Sequence, residues 1–136
     1  MKVKTSELTG AALDWAVAKC EGIELESGYG VQETSGYYNR LLVDGRMSKG
    51  QSMLVRYIPS TDWAQAGPII EREWLDVTPW PNESDEDLRW QCKQHDSIEC
   101  IAFGPTPLIA AMRCYVASKL GDEVEVPDEL LESEVE

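Results

Sequence analysis

Apolar residues recur with a helical period near the start of the chain. The spacing i, i+3, i+4, i+7 of one buried helix stripe is met by Leu13, Ala16, Val17 and Cys20. Ser6 or Thr9 can cap the start of this helix, and Gly22 follows where it should end. The pattern therefore predicts a first amphipathic helix, with Trp15 at the edge of the core.

A second helical pattern runs towards the C-terminal end. Thr106 is a capping residue type, Pro107 suits the first helical position, and Gly121 follows the expected end. Its apolar face is formed by four residues, Leu108, Ala111, Met112 and Tyr115.

Between these helices, four stretches are typical of short strands: 38–43, 52–58, 88–94 and 97–103. Two helices that flank several strands predict an α+β fold, in which a small antiparallel or mixed sheet is flanked by two main helices in a sandwich-like arrangement.

The segment from Pro59 to Glu71 has the most unusual local pattern. Ser60, Thr61 and Asp62 are residues that accept hydrogen bonds from the free N–H groups of a helix start. Gly67-Pro68 is predicted to stop that helix after about one turn, because Pro68 has no N–H. Such an interrupted segment with a tryptophan indicates a shaped surface, which we interpret as a binding site.

Charge is distributed unevenly along the chain. Of the net charge of −13, residues 1–75 carry −2 and residues 76–136 carry −11, and residues 121–136 hold eight acids and no base. We predict a single domain over residues 1–121 and an acidic C-terminal tail over residues 122–136. An acidic surface repels phosphates, so direct nucleic acid binding is not expected, whereas docking to a basic protein remains an alternative.

Motifs for catalysis or metal binding are weak. Asp62 with Glu71 or Glu73 could form a carboxylate pair for acid–base catalysis, but Asp62 is equally explained as a helix cap. Cys92, His95 and Cys100 supply three local ligands where a closed zinc site needs four. We therefore predict no catalytic residues, no metal and no cofactor, and we expect the cysteines to be reduced core or strand residues in a cytoplasmic protein without a membrane segment.

A binding site is better supported by the residue types. The predicted ligand-binding residues are Ser60, Thr61, Asp62, Trp63, Gln65, Arg56, Arg72, Tyr37 and Thr106. Two predicted helix starts offer free N–H groups to an anion, Trp63 offers a flat face for stacking, and the arginines offer positive charge. Tyr29, Tyr37 and Tyr38 would supply a closing loop. The opposite interpretation, that Trp63 packs against the sheet and the caps only cap, is equally open.

Three segments resemble a known family. The opening residues 1–10, the stretch from Pro59 to Glu71 and the stretch from Thr106 to Met112 together resemble the NinX-like proteins, small accessory proteins of lambdoid-type phages and prophages. At position 66, where the resemblance implies glycine, this chain has Ala66. The resemblance implies no catalytic residues.

The resemblance leaves two functions open, both within the cytoplasm of the infected cell. One is a non-enzymatic binding module that sequesters an anionic, nucleotide-like small molecule as a counter-defence. The alternative is an acidic regulator, or an inhibitor resembling a DNA mimic, that contacts a basic host or phage protein. A homodimer is also compatible with the aromatic content.

Overall fold

A computed structural model describes residues 1–23, 26–27, 37–42, 52–80, 84–95, 100–127 and 130. Three helices organise these residues: α1 (Gly10–Glu21), α2 (Trp63–Arg72) and α3 (Pro107–Leu120). Eight strands accompany them: β1 (Lys2–Lys4), β2 (Glu26–Ser27), β3 (Tyr37–Leu42), β4 (Ser52–Arg56), β5 (Leu75–Pro79), β6 (Trp90–Gln94), β7 (Ile101–Gly104) and β8 (Glu123–Glu125).

The strands form antiparallel sheets of two and three strands. β1 pairs with β8, β2–β3–β4 form one three-stranded sheet, and β5–β6–β7 form another. The α+β class is thus confirmed. The prediction of one sheet between two main helices is too simple, because within the described residues the strands divide among three sheets and α2 is a third helix.

Helix α3 lies at the centre of the core. Every residue from Ala110 to Val116 is buried, because α3 packs on β5–β6–β7 and on α1. Helix α1 contributes the predicted stripe, with Leu13, Ala16 and Val17 fully buried, and it ends at Gly22 in the left-handed conformation (φ 71°). Trp15 packs at the edge of the core, as predicted.

The predicted end of α2 at Gly67-Pro68 is wrong, since the helix continues to Arg72. Pro68 removes one backbone hydrogen bond, but its preceding residue is a glycine without the Cβ that would clash with the proline ring. Ala66 and Ile69 are buried on either side of the break. Packing of this apolar face therefore carries the helix through the proline.

The predicted boundary between domain and tail also differs from the structure. β8 lies within the segment assigned to the tail, and it pairs with β1 in the register Val3↔Val124. Val124 and Val126 are buried, as is Leu130. Alternation of acidic and apolar residues explains this arrangement, because one face of the strand enters the core while the glutamates face solvent.

Candidate functional site

Several residues of the predicted site hold the backbone together. The Asp62 carboxylate caps α2 by accepting a hydrogen bond from the Ala64 N–H at 3.0 Å. Ser60 is buried, and its N–H donates to the Asp14 carboxylate of α1 at 2.8 Å. Gln65 Oε1 accepts from the Ile58 N–H at 2.7 Å. These groups position the start of α2, and the cap places a negative charge where an anion would have to bind.

Trp63 occupies the first position of α2 and exposes 58% of its surface. Trp63 is therefore not buried against the sheet, although the Asp62 cap does act as a cap. Thr61 is also exposed, with its hydroxyl 3.5 Å from the Ile58 carbonyl oxygen. The indole is thus free to contact a partner.

Arg72 lies at the opposite end of α2, about 13 Å along the helix from Trp63. Its guanidinium contacts both oxygens of the Glu21 carboxylate at 3.1 and 2.6 Å, and its Nε donates to Glu73 at 2.9 Å. This contact holds the pKa of the Glu73 carboxyl below its ordinary value. Arg72 is therefore committed to a network that joins the ends of α1 and α2 to Tyr115, whose hydroxyl donates to Glu21.

Three of the remaining predicted residues lie on other elements: Thr106 at the start of α3, Tyr37 on β3 and Arg56 on β4. Thr106 caps α3, because its hydroxyl accepts from the Ile109 N–H at 3.1 Å. The backbone places Tyr37 at the start of β3 and Arg56 at the end of β4. Their side chains and Tyr29 lie outside the described residues, so the predicted closing loop stays a prediction.

Trp74 is a feature that the sequence pattern did not single out. It exposes 68% of its surface and has a left-handed backbone (φ 53°), which is rare for a bulky residue. The centre of its ring lies 5.4 Å from the centre of the His95 ring. The backbone N–H of His95 donates to the Trp74 carbonyl at 2.9 Å. With Arg72 and Asp76, these residues line a shallow depression of about 720 Å³, here called the Trp74 shelf. No local sequence pattern predicts the left-handed φ of Trp74.

A second concavity of about 610 Å³ lies at the opposite edge of the β5–β6–β7 sheet, beside β7. We call it the acidic cleft. Its charged lining comprises Lys4, Glu7, Asp87, Arg113, Asp122 and Glu123, and its apolar lining includes Leu88, Ile101, Phe103 and Ala117. Four carboxylates therefore face two cations.

Arg113 forms the polar floor of the acidic cleft. The side chain is only 4% exposed, and its Nε donates to the Leu8 carbonyl at 2.7 Å. Its Nη1 donates to the Phe103 carbonyl at 2.8 Å and to the Asp87 carboxylate at 3.1 Å. The sequence did hold a signal for this arrangement, since Arg113 lies among apolar residues of a helix and a buried charge must be paired.

Three cysteines lie where α3 packs on the β5–β6–β7 sheet: Cys92 on β6, Cys100 just before β7 and Cys114 on α3. Cys92 and Cys114 are buried, and the Cys100 and Cys114 thiols each approach the other's backbone carbonyl, at 3.6 and 3.5 Å. All four cysteines of the chain carry free thiols. Within the described ranges, no three or more His, Cys, Asp or Glu side chains are arranged to hold a metal ion.

The free energy of unfolding is expected to fall as the pH rises above 9. Burial raises the pKa of Cys20 from 9.0 to about 11, and that of Cys100 to the same extent. Between pH 9 and pH 11 the unfolded chain releases its thiol protons while the folded chain still holds them, so a rise in pH favours the unfolded state. Burial likewise raises the pKa of Tyr57 and of Tyr115. Urea denaturation at pH 8 and pH 10.5 measures the difference, and equal midpoints would contradict the assignment.

Comparison with known proteins identifies the family. A search of curated proteins found no match. Among the described residues, no helix has the length and apolar character needed to cross a bilayer. The profile of the family described as "Bacteriophage P22, NinX" matches residues 4–119. This range includes the β5–β6–β7 sheet and all three helices, apart from Leu120 at the end of α3. The chain therefore belongs to the NinX family of phage proteins.

Proposed function

We propose that this phage accessory protein is a non-enzymatic binding protein that contacts a basic protein in the cytoplasm of the infected cell. The observation that carries the proposal is the acidic cleft, where Glu7, Asp87, Asp122 and Glu123 surround an opening with an apolar wall. A cationic segment would be attracted to these carboxylates and would bury its apolar residues on that wall.

The charges of the cleft favour a cationic partner over an anionic ligand. Asp87 already pairs with Arg113 at 3.1 Å, which leaves Glu7, Asp122 and Glu123 against Lys4. A phosphate entering this opening would meet an excess of like charge. The net charge of −13 acts in the same direction over longer distances.

A binding role is also supported by what the carboxylates of α2 do. Asp62 caps the helix, whereas Glu73 is held by Arg72 at 2.9 Å and by Lys119 at 3.5 Å. Both Glu71 and Glu73 lie at the opposite end of α2 from Asp62. Neither therefore forms with Asp62 the carboxylate pair that an acid–base mechanism would need.

Capture of a partner from infected host cells tests the proposal. The variant Glu7→Gln/Glu123→Gln removes two charges from the cleft rim, and the control Glu71→Gln/Asp76→Asn removes two charges beside the Trp74 shelf. We expect wild type and control to retain the same basic protein, and the rim variant to bind it about tenfold more weakly. Equal retention by all three proteins would contradict the proposal. Deleting residues 122–136 is a poorer test, since it removes β8 and the buried Val124.

The Trp74 shelf favours a second candidate function, binding of a nucleotide-like small molecule. An exposed indole on a strained backbone, next to the ring of His95, offers a stacking face, although the nearby Arg72 guanidinium is already paired with Glu21 and Glu73.

A thermal-shift screen with nucleotides and cyclic nucleotides tests this second candidate. A ligand at a hundred times its Kd adds about 2.7 kcal/mol to stability. That shift should vanish in Trp74→Ala and persist in Trp63→Ala if the shelf is the site. The reverse pattern would return the site to the start of α2, and a panel without shifts would remove this candidate.

A further inference from the structure

Strand β7 is an edge strand whose outer side faces the acidic cleft. It pairs with β6 in the register Cys92↔Ala102 and Trp90↔Gly104, and within the described residues no strand pairs with its other side. In an antiparallel ladder, successive residues direct their N–H and C=O groups alternately towards one neighbour and the other. Once the direction of the backbone groups is known for one residue of β7, it is therefore known for all of them.

Two observations fix this alternation. The Phe103 carbonyl accepts a hydrogen bond from Arg113 on α3, as expected for a group on the outer side of β7. Independently, the β5–β6 ladder is bonded at the pairs Trp74–His95 and Trp80–Arg89, so by alternation Trp90, opposite Pro79, directs its groups towards β7 and not towards β5. Both observations make Ala102 and Gly104 the residues that bond to β6, and they turn Ile101 and Phe103 towards the cleft.

The outward groups of β7 are largely unused. In the part of the chain that the structure describes, the Ile101 N–H, the Ile101 carbonyl and the Phe103 N–H have no hydrogen-bond partner, and Ile101 is 43% exposed. Arg113 has a donor to spare as well, because its Nε and Nη1 are bonded whereas its Nη2 has no partner among the same residues. No buried side-chain nitrogen in the described residues lacks a partner, so Nη2 is not fully buried, and the opening that Arg113 lines is the acidic cleft.

We propose that the acidic cleft binds an extended basic peptide segment of a partner protein, which adds as a fourth strand to the outer edge of β7. The inference rests on the proposed function and specifies how the partner binds. Main-chain bonds to Ile101 and Phe103 hold the segment in the manner of β-strand addition. The Nη2 group of Arg113 donates to an acceptor of the bound segment at the floor of the cleft.

The lining of the cleft specifies the side chains of this peptide. Alternate residues of a strand point to opposite sides, so one set meets the apolar wall of Leu88, Ile101 and Phe103. The other set meets the rim of Glu7 and Glu123, which selects lysine or arginine. The partner segment therefore alternates basic and apolar residues.

A synthetic peptide of four Lys-Val repeats provides the probe, and the same peptide methylated at every backbone nitrogen provides its control. Methylation keeps the charge and the side chains but removes the N–H donors of a strand. On the protein, Ile101→Pro removes one outward donor at an edge position where proline is tolerated, and Ile101→Ala trims the same side chain but keeps the donor. Binding is measured by titration calorimetry, and amide hydrogen exchange is followed by NMR in the wild-type protein.

We expect the unmodified peptide to bind wild type and Ile101→Ala, and to bind Ile101→Pro about tenfold more weakly. In the wild-type complex the Ile101 and Phe103 amides should become protected from exchange, while the Ala102 and Gly104 amides, already bonded to β6, should change little. Equal binding of the methylated peptide, no binding of either peptide, or unchanged exchange at Ile101 and Phe103 would overturn strand addition. If partner capture still depended on Glu7 and Glu123 in that case, the proposed function would stand and only its mode would be wrong.

Discussion

Replacement of Arg113 by methionine is expected to lower the free energy of unfolding by about 3 kcal/mol. Methionine fills much of the space but leaves the Leu8 and Phe103 carbonyls without their donors in a site where Arg113 is 4% exposed. Asp87 is half exposed and can return to water, so most of the loss comes from the two carbonyls. Urea denaturation monitored by tryptophan fluorescence measures the change.

A neighbouring arginine provides the matched control. Arg89 is exposed and lies 3.9 Å from Glu86, so Arg89→Met should change stability by less than about 0.5 kcal/mol. Arg113→Lys should fall between the two variants, because lysine keeps the charge but cannot reproduce the fork of donors. A loss below about 1 kcal/mol in Arg113→Met would show that these hydrogen bonds contribute little.

Addition of one methyl group at Gly104 should cost nearly as much, about 2–3 kcal/mol. A Cβ at this position would lie 2.7 Å from the Ala110 backbone nitrogen and 3.1 Å from its Cα. Because these are backbone atoms of α3, the helix itself would have to move away from β7. Thermal or urea unfolding of Gly104→Ala measures the effect.

Gly22→Ala separates steric contact from backbone conformation. Gly22 has a left-handed φ of 71°, but a Cβ there would meet no atom within 4 Å. Its substitution should therefore cost only the conformational strain, about 1 kcal/mol. If Gly104→Ala lost no more stability than Gly22→Ala, the close approach of α3 to β7 would be wrong.

The helices and four of the eight strands could be predicted because their signals are local. The stripe that contains Leu13 and Val17, the cap at Thr106 and the glycines at 22 and 121 depend only on residues within a few positions. α2 shows the limit of such signals. Gly67-Pro68 is a strong local stop, and it was overridden by the burial of Ala66 and Ile69, which depends on elements distant in sequence.

The candidate sites were harder to predict for the same reason. The residues around Trp63 were recognisable as caps, but their hydrogen-bond partners, such as Asp14 for Ser60, are remote in sequence. The acidic cleft brings together residues near both ends of the chain, including Glu7 and Glu123. A sequence pattern cannot show that proximity, although the excess of acids in residues 76–136 did indicate the sign of the charge.

An NMR titration of wild-type protein with the Lys-Val peptide decides whether the acidic cleft is the binding surface. We predict that the largest amide shift changes will lie at Glu7, Ile101, Phe103 and Glu123, and that they will weaken as salt is raised, as expected for an acidic interface. Shift changes centred on Trp63, or on Trp74 and His95, would show that the cleft is not the binding surface and would place binding at the other exposed aromatic residues.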